Sequence, residues 1–331
     1  MCNVPAHFSG SPWPVDAGAQ GGIYPGKHRK YLRILRRSAL IGFRHNMDNM
    51  PARELDFEMH PLNAARFKHA HKYASYLNTV AGKLRSDLAW EFLRGSLPIE
   101  HFGLRVLDLG GGTGTVSMRL AQMGFEVVLL DRSEDMLRIA RKNVEGNEIT
   151  ARIAFRQADA DQLGSLFEHN SFDVVVCHNL LEYVADPGAI LSGIARIMKK
   201  NAVVSVLARN RAGEVLKAAI KSGDWQLAKA NLSADTVTDS LFGEPVRVFD
   251  RTDLIQTLAG AGLALTAEYG VRVFSDYVDS EDLDNEAYRQ LFELEITLGT
   301  QPQFAAVARY SQLIAGGSGA APNPGTSGPR T

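Results

Sequence analysis

The sequence is poor in cysteine and has no long apolar run, and each absence excludes a class of protein. Its 331 residues include two cysteines, Cys2 and Cys177, whose placement does not suggest a disulfide, so a reducing cytoplasm is the expected location. No uncharged apolar segment reaches the roughly 18 residues of a membrane span, which excludes an integral membrane protein, and no membrane partner is expected. The 36 lysines and arginines against 37 acidic residues give a net charge of −1. The chain is therefore not a globally basic nucleic-acid-binding protein.

Acidic residues are also missing between Asp16 and Asp48. In that window, basic residues interleave with apolar ones at Lys27, Arg29, Lys30, Arg33, Arg36, Arg37 and Arg44. We expect residues 1–55 to form a flexible basic extension, and three roles stay open for it: a solvated segment, a contact with phosphate or another anionic surface, or a targeting peptide. At the other end, residues 313–331 include AGGSGAAPNPGTSGPRT, whose Gly, Ser and Pro content predicts a disordered tail.

Between these ends, short apolar runs alternate with helical stretches, which indicates an α/β fold with a largely parallel sheet. Two helices are predicted at 64–95, within an N-terminal helical cap at 56–104. Residues 105–312 are expected to form a Rossmann-like, doubly wound, seven-stranded sheet whose last strand is antiparallel. The predicted strands are 105–109, 126–130, 152–155, 172–177, 202–207, 263–269 and 304–310. An insertion at 209–250 is a predicted substrate lid, because such sheets bind ligands at the carboxyl ends of their strands.

The strongest motif is VLDLGGGTG at residues 106–114, an apolar strand that runs into a glycine loop and then a helix. Glycines permit positive φ and a close approach of a ligand, while the helix N-terminus offers free N–H groups. Asp131 stands 21 residues after Gly110, at a strand end where an acidic residue binds ribose hydroxyls. Thr115 occupies a position where a dinucleotide fingerprint requires a small residue, which argues against NAD. The loop and its acid resemble those of the class I S-adenosylmethionine-dependent methyltransferases.

Two further segments follow predicted strands. Asp159 and Asp161 come after the third strand, where a carboxylate can bind the adenine amino group; a solvated acidic turn is the alternative. His178 ends the fourth strand, where it is either a ligand contact or a packing residue.

More specific segments resemble the bacterial tRNA 5-carboxymethoxyuridine methyltransferases, which convert a wobble-base carboxylate to its methyl ester. Spread over about residues 57–312, they include TVAGKLRSDLAWEFL, VLDLGGGTG, HNLLEYVADP, YGVRVFSDY and ARYSQLIA. The resemblance implies S-adenosylmethionine as the cofactor. It places Arg85 at the methionine carboxylate, Gly110 and Gly111 (with Gly112 beside them) in the loop, Asp131 at the ribose, Ala160 and Asp161 at the adenine, and His178 after the fourth strand. Family members carry Gln at the position of Asp161.

Residue chemistry adds candidates for the acceptor side. Arg85 suits a carboxylate because its planar fork can bind bidentately, the alternative being a surface residue on an amphipathic helix. Arg272 either binds the acceptor's carboxylate or pairs with Asp276 or Glu182 as part of the scaffold. Tyr183 and Tyr277 either line the acceptor pocket or belong to the core.

The lid stretch NLSADTVTDSLFGEPVRVFD is mildly acidic, whereas family members that act on tRNA can carry a dense basic run there. The first hypothesis is therefore carboxyl O-methylation of a small molecule or a modified nucleoside. No metal cluster is evident, and an ionised carboxylate needs no general base. For a hydroxyl or amine acceptor, His178 or Glu182 would be the base, and these two with Arg272 are the catalytic candidates. Two alternatives remain: methylation of the wobble uridine in intact tRNA, and a catalytically silent module that binds S-adenosylmethionine.

Overall fold

A seven-stranded mixed sheet forms the centre of the computed structural model, which describes residues 61–278 and 283–317. The sheet strands are β1 (Arg105–Leu109), β2 (Glu126–Asp131), β3 (Ile153–Gln157), β4 (Phe172–His178), β5 (Met198–Arg209), β8 (Leu263–Val271) and β9 (Tyr310–Gly317), while β6 (Thr236–Thr238) and β7 (Pro245–Arg247) form a separate ribbon. The strand order in the large sheet is β3-β2-β1-β4-β5-β9-β8. The first five strands in this order are parallel, and β9 runs antiparallel to both neighbours. The predicted doubly wound, Rossmann-like sheet with an antiparallel last strand is confirmed.

Helices cover both faces of the sheet. They are α1 (Pro61–Leu77), α2 (Val80–Arg94), α3 (Thr115–Met123), α4 (Glu134–Val144), α5 (Leu163–Leu166), α6 (Pro187–Ile197), α7 (Arg211–Leu216), α8 (Trp225–Asn231), α9 (Arg251–Gly260), α10 (Asn285–Gly299) and α11 (Pro302–Ala305). In several of them the residue before the helix accepts a backbone N–H through its side chain, as Ser, Thr, Asp and Asn do at helix starts; these residues are Thr79, Ser133, Asp186, Asn210, Asp224, Asp250 and Asp284.

Alternating side chains of the central strands divide the core into two layers. Leu107 and Cys177 face one layer with α6 and α9, and Val106 and Val176 face the other with α3 and α4. A strand buried on both faces reads as a continuous apolar run, which is why these strands were visible in the sequence. No helix in the described part of the chain is long and apolar enough to cross a membrane.

The last strand was predicted in the wrong place. Of residues 304–310, predicted as a strand, 304–309 form the end of α11 and a loop, and only Tyr310 belongs to β9, which is Tyr310–Gly317. The tail expected from residue 313 therefore begins with residues that pair with β5 and β8. The Gly, Ser and Pro content of the tail had suggested disorder, but strand pairing on both sides overrides the weak strand propensity of Ala315, Gly316 and Gly317. Residues 318–331 and the expected extension at 1–55 lie outside the described residues.

The insertion predicted at 209–250 contains short helices and a small separate sheet. It comprises α7, a π-helical turn (Lys217–Lys221), α8 and a two-stranded ribbon of β6 (Thr236–Thr238) and β7 (Pro245–Arg247). Because it starts where β5 ends, it stands at the carboxyl edge of the parallel strands.

A buried carboxylate on α10 holds the turn that follows β8. Glu295 is fully buried and accepts backbone N–H groups from Val273 at 2.6 Å, Phe274 at 3.2 Å and Ser275 at 2.8 Å. Hydrogen bonds to a charged acceptor are stronger than neutral ones, so this carboxylate replaces the partners that strand pairing supplies elsewhere.

Glu295→Gln should destabilise the protein by about 3 kcal/mol, because an amide NH₂ would face backbone donors in a buried site. Urea unfolding followed by circular dichroism measures the loss. The matched control is Glu293→Gln on the same helix, whose carboxylate pairs with Arg289 in an exposed ion pair and should matter by less than about 0.5 kcal/mol. Equal effects of the two substitutions would contradict the proposed role of Glu295.

Candidate active site

The glycine loop between β1 and α3 has a backbone that only glycine adopts easily. Gly110, Gly112 and Gly114 have φ values of 71°, 54° and 80°, in the left-handed region. Gly111 is required for a different reason: a Cβ atom there would stand 2.8 Å from Cγ of Leu129 and 2.9 Å from the carboxyl carbon of Asp108. The loop therefore packs tightly at Gly111, and its glycines place no side chain of their own between the backbone and a ligand.

Asp131, at the end of β2, is bonded to this loop. Its carboxylate accepts the N–H of Gly112 at 2.9 Å and that of Ser133 at 2.8 Å. Burial raises the pKa of the group, while these two hydrogen bonds act in the opposite direction. A carboxylate has about four acceptor positions, so two remain for the hydroxyls of a ligand.

The acidic residue inside β1 packs against the glycine loop. Asp108 is buried and accepts a hydrogen bond from the Ser117 hydroxyl at 2.6 Å. Burial raises its pKa to about 6. Its carboxyl lies against Gly111, so Asp108 fixes the first turn of α3 relative to the loop.

The segment after β3 forms a short 3₁₀ turn, Ala160–Gln162. The Asp159 side chain caps this turn, and the side-chain oxygen of Gln162 accepts a hydrogen bond from the Asp159 N–H. Ala160 is buried, whereas Asp159 and Asp161 are exposed. Asp159 is close enough to Asp131 to raise the pKa of that group. The structure thus brings the turn beside the glycine loop and gives Asp159 a local capping role as well.

His178 ends β4 and is held in its neutral form. Its Nε2 atom lies 2.8 Å from the Ser205 hydroxyl, which also accepts a hydrogen bond from Gln312. Burial, followed by repulsion from Arg85, lowers the pKa of His178 to about 3. The imidazole is therefore uncharged near neutral pH and is a weak base.

Arg85, on α2, is a buried cation that tyrosines surround. Its Nη2 donates to the Tyr73 hydroxyl at 3.0 Å, and its guanidinium lies over the rings of Tyr73, Tyr76 and Tyr310 at 5.0 to 5.8 Å. Within the described part of the chain, Arg85 forms no ion pair with a carboxylate, whereas the other buried arginines nearby do. The alternative of a surface position on α2 is wrong. A desolvated guanidinium without a carboxylate suits an incoming anion.

Arg272 adopts the second of its two predicted roles. It is buried with φ 62° and forms an ion pair with Asp276, not with Glu182. Its Nη1 donates to the Tyr76 hydroxyl at 3.0 Å, and Tyr76 also faces Arg85. One tyrosine therefore links the two arginines that the sequence singled out.

Buried ion pairs fix the insertion to the sheet. Arg209, at the end of β5, pairs with Glu214 of α7 and with Asp239 of the ribbon loop. Arg309, just before β9, pairs with the same Glu214 at 2.5 Å. Both guanidiniums face the ring of Tyr310 at about 6 Å. The insertion is thus anchored by ion pairs to the end of β5 and to the start of β9.

The remaining acceptor-side candidates lie close to the insertion or to the ion pairs that anchor it. Glu182 is buried, and one of its oxygens accepts hydrogen bonds from Asn179 and from the backbone of Arg209. Burial raises the pKa of Glu182. Tyr183 is 38% exposed and near Asp239. Tyr277 is half-buried with its pKa raised to about 12, first by burial and then by Asp276.

Sequence reasoning missed much of this lining. Tyr73 and Tyr76 are three residues apart on α1 and so share a helix face, a weak signal that was available. Tyr310 belongs to the ARYSQLIA segment, but its role depends on the arginines around it. Glu214 and Asp239 act through contacts with Arg209, and no local pattern indicates such a pairing.

Comparisons with known proteins agree with this geometry. Residues 100–249 match the family model of a methyltransferase domain. The tRNA 5-carboxymethoxyuridine methyltransferase of Escherichia coli K12 is 27% identical over 241 residues, which cover 72% of this chain and 89% of that protein. A ubiquinone biosynthesis O-methyltransferase of Xanthomonas oryzae is 30% identical over 130 residues, or 39% of this chain and 53% of the relative. A SAM-dependent methyltransferase structure from Thermotoga maritima has a TM-score of 0.51 at 15% identity, covers 76% of this chain and 98% of its own, and shows the shared fold.

The low pKa of His178 predicts a pH dependence of stability. The folded-state pKa, about 3, lies below the ordinary value of 6.5, so protonation favours the unfolded chain. The part of the folding stability that depends on a neutral His178 is fully present above pH 6.5 and is lost as the pH falls toward 3, with a slope of up to about 1.4 kcal/mol per pH unit. His178→Gln should therefore lose less stability than the wild type between about pH 6 and pH 4.

Urea midpoints measured at several pH values test this expectation. His169→Gln, at a solvent-exposed histidine, serves as the control and should follow the wild type. Parallel curves for His178→Gln and the wild type would show that His178 is not held neutral.

Proposed function

We propose that this chain, a class I S-adenosylmethionine-dependent methyltransferase, methylates a carboxylate oxygen of a small molecule or a modified nucleoside. The class and the cofactor rest on the methyltransferase domain at residues 100–249 and on the shared fold. The observation that carries the choice of acceptor is that both candidate bases are already engaged. Nε2 of His178 lies 2.8 Å from the Ser205 hydroxyl, at a site where burial also lowers the pKa of the imidazole, and one oxygen of Glu182 accepts hydrogen bonds from Asn179 and Arg209. A hydroxyl or an amine would need a free base, whereas a carboxylate is already ionised near neutral pH.

The cofactor is proposed to lie along the carboxyl edge of β1, β2 and β3. Arg85 would bind the methionine carboxylate, which supplies the anion that this guanidinium otherwise lacks. Asp131 would bind the ribose through its two free acceptor positions, against the backbone of Gly110, Gly111 and Gly112. Asp159, Ala160 and Asp161 would border the adenine, and His178 would contact the cofactor from the end of β4.

The electrostatics beneath the lid support an anionic acceptor. Lys217, on the π-helical turn, has its pKa lowered by burial and then by Arg309, so an added negative charge would stabilise its ammonium form. The proposed acceptor pocket comprises Arg272, Tyr183 and Tyr277. Because Arg272 is already paired with Asp276, its role toward an acceptor would be shared with that carboxylate.

The chemistry required of the protein is modest. When bound, S-adenosylmethionine would supply the methyl group that is transferred to the carboxylate oxygen, and Arg85 and Asp131 would hold it in place. The chain would align the two reactants and exclude water. An insertion that buried ion pairs hold against the sheet suits both tasks. We also place the reaction in the cytoplasm, in keeping with the free buried thiol of Cys177.

Intact tRNA is the second candidate acceptor. The observation in its favour is that the Escherichia coli relative, named for a tRNA nucleoside, is matched over 89% of its length. In addition, the lid surface is less acidic than its sequence suggests, since Glu214 and Asp239 are buried in ion pairs. A silent cofactor-binding module is the third candidate and predicts no transfer at all.

The acceptor is tested with S-adenosylmethionine carrying a labelled methyl group. We expect transfer to 5-carboxymethoxyuridine, offered as the free nucleoside, as an anticodon-loop oligonucleotide and within tRNA, and release of the label as methanol in mild alkali because the product is an ester. A labelled product stable to alkali would contradict carboxyl methylation. Transfer to tRNA alone would favour the second candidate, and no transfer to any carboxylate would favour the third.

Asp131→Asn should weaken S-adenosylmethionine binding by about 10- to 100-fold, since it removes charge from a hydrogen-bonded ribose contact and from the loop. Isothermal calorimetry with S-adenosylmethionine and S-adenosylhomocysteine measures the change. Asp135→Asn is the matched control, because Asp135 is four residues away and pairs with Arg138 at 3.0 Å on α4. Equal affinities of the Asp131→Asn variant and the wild type would overturn the assigned ribose contact.

A further inference from the structure

Tyr73, on α1, brings a phenol hydroxyl to the buried guanidinium of Arg85. Nη2 of Arg85 donates to the Tyr73 oxygen at 3.0 Å, and the guanidinium lies 5.6 Å from the centre of the Tyr73 ring. A phenol hydroxyl accepts hydrogen bonds through its oxygen and also has one proton to donate. Within the described part of the chain, the Tyr73 hydroxyl donates to no other residue, so that its proton is available to a ligand.

The Tyr73 ring also lies against the glycine loop. Its Cε1 atom is 3.7 Å from the point that a Cβ atom on Gly112 would occupy, and the N–H of Gly112 binds Asp131. On the other side, Arg85 is close enough to His178, at the end of β4, to add to the effect of burial in lowering the pKa of that imidazole. Tyr73 and Arg85 therefore stand together between the glycine loop and the end of β4, at the edge where parallel strands bind ligands.

The second tyrosine on this part of α1 is engaged differently. The Tyr76 hydroxyl accepts a hydrogen bond from Nη1 of Arg272 at 3.0 Å, and the charge of Arg272 is already balanced by Asp276. Arg85 has no such carboxylate among the described residues. The available proton of Tyr73 thus lies beside an unbalanced positive charge, and both features suit the same anion.

We propose that the Tyr73 hydroxyl and the Arg85 guanidinium together bind the methionine carboxylate of the cofactor, each donating to that group. The inference rests on the carboxylate contact proposed above for Arg85 and adds a second donor from a different helix. Two donor atoms 3.0 Å apart can both reach one carboxylate, whose oxygens offer about four acceptor positions. Tyr73 is therefore a binding residue that selects ligands with this carboxylate, and α1 is part of the cofactor site.

The test compares two ligands that differ only in this carboxylate, S-adenosylmethionine and decarboxylated S-adenosylmethionine, by isothermal calorimetry on the full chain. The wild type should prefer the first ligand. Tyr73→Phe keeps the ring and removes the donated proton. It should weaken the binding of S-adenosylmethionine about 10-fold, as the loss of a charge-assisted hydrogen bond does, and that of the decarboxylated ligand less than about twofold.

Tyr288→Phe is the matched control. The Tyr288 hydroxyl is likewise bonded to a charged group, the Asp87 carboxylate, at 2.7 Å, but this contact joins α10 to α2 and is no part of the proposed site. Both affinities of the Tyr288→Phe variant should equal those of the wild type. Urea unfolding midpoints establish that each variant is folded, and neither readout depends on an acceptor or on methyl transfer.

Arg85→Gln separates this inference from the contact on which it rests. If Arg85→Gln loses the preference for the carboxylate and Tyr73→Phe keeps it, the Arg85 contact stands and the role of Tyr73 is wrong. If Tyr73→Phe loses the preference and Arg85→Gln keeps it, the Tyr73 contact stands and the Arg85 assignment is wrong. No preference in the wild type would overturn both.

A gain in affinity would also contradict the role of Tyr73. Tighter binding of S-adenosylmethionine to the Tyr73→Phe variant would show that the Tyr73 hydroxyl competes with the carboxylate for the Arg85 guanidinium and does not assist in binding it.

Discussion

The structure depends on the neutralisation of buried guanidinium groups around Tyr310. Three of these arginines have carboxylate partners, and the pairs are Arg209 with Glu214 and Asp239, Arg309 with Glu214, and Arg272 with Asp276. Removing one member of such a pair leaves an uncompensated charge in a desolvated site, which costs far more than the pair itself contributes. The cluster therefore joins β5, β9, the turn after β8 and the insertion into one unit.

Arg85 differs from its neighbours because its partners are the hydroxyl of Tyr73 and three aromatic rings. Aromatic faces and phenol oxygens offset part of the cost of burying a cation but leave its charge available. The candidate site thus contains one guanidinium without a carboxylate partner beside three that are paired. The same residue type therefore occurs here in two electrostatic states, and only the partners distinguish them.

The glycine loop, Asp131 and the parallel strands were predictable because each follows from contiguous residues: apolar runs, a glycine spacing and an acid at a strand end. The position of β9 was not, since its last residues, Ala315, Gly316 and Gly317, carry little strand preference and pairing with β5 and β8 decides the outcome. The contacts of Glu295 with the turn after β8 and of Arg209 with Asp239 join residues 20 or more positions apart, and no local pattern encodes such pairs. The role of Arg272 was predictable in part. The sequence left two alternatives, an acceptor contact or an ion pair, and the i, i+4 spacing to Asp276 made the ion pair one of them.

The tyrosines beside Arg85 have a consequence for where this enzyme begins as a functional unit. Tyr73 and Tyr76 belong to α1, some 25 residues before the stretch that matches a methyltransferase domain. A chain shortened to that stretch would keep the glycine loop and Asp131, yet it would lack α1 and α2, and hence Arg85 itself, together with β8 and β9 of the sheet. The unit that a recombination event would have to move intact is therefore longer than the region that family resemblance delimits.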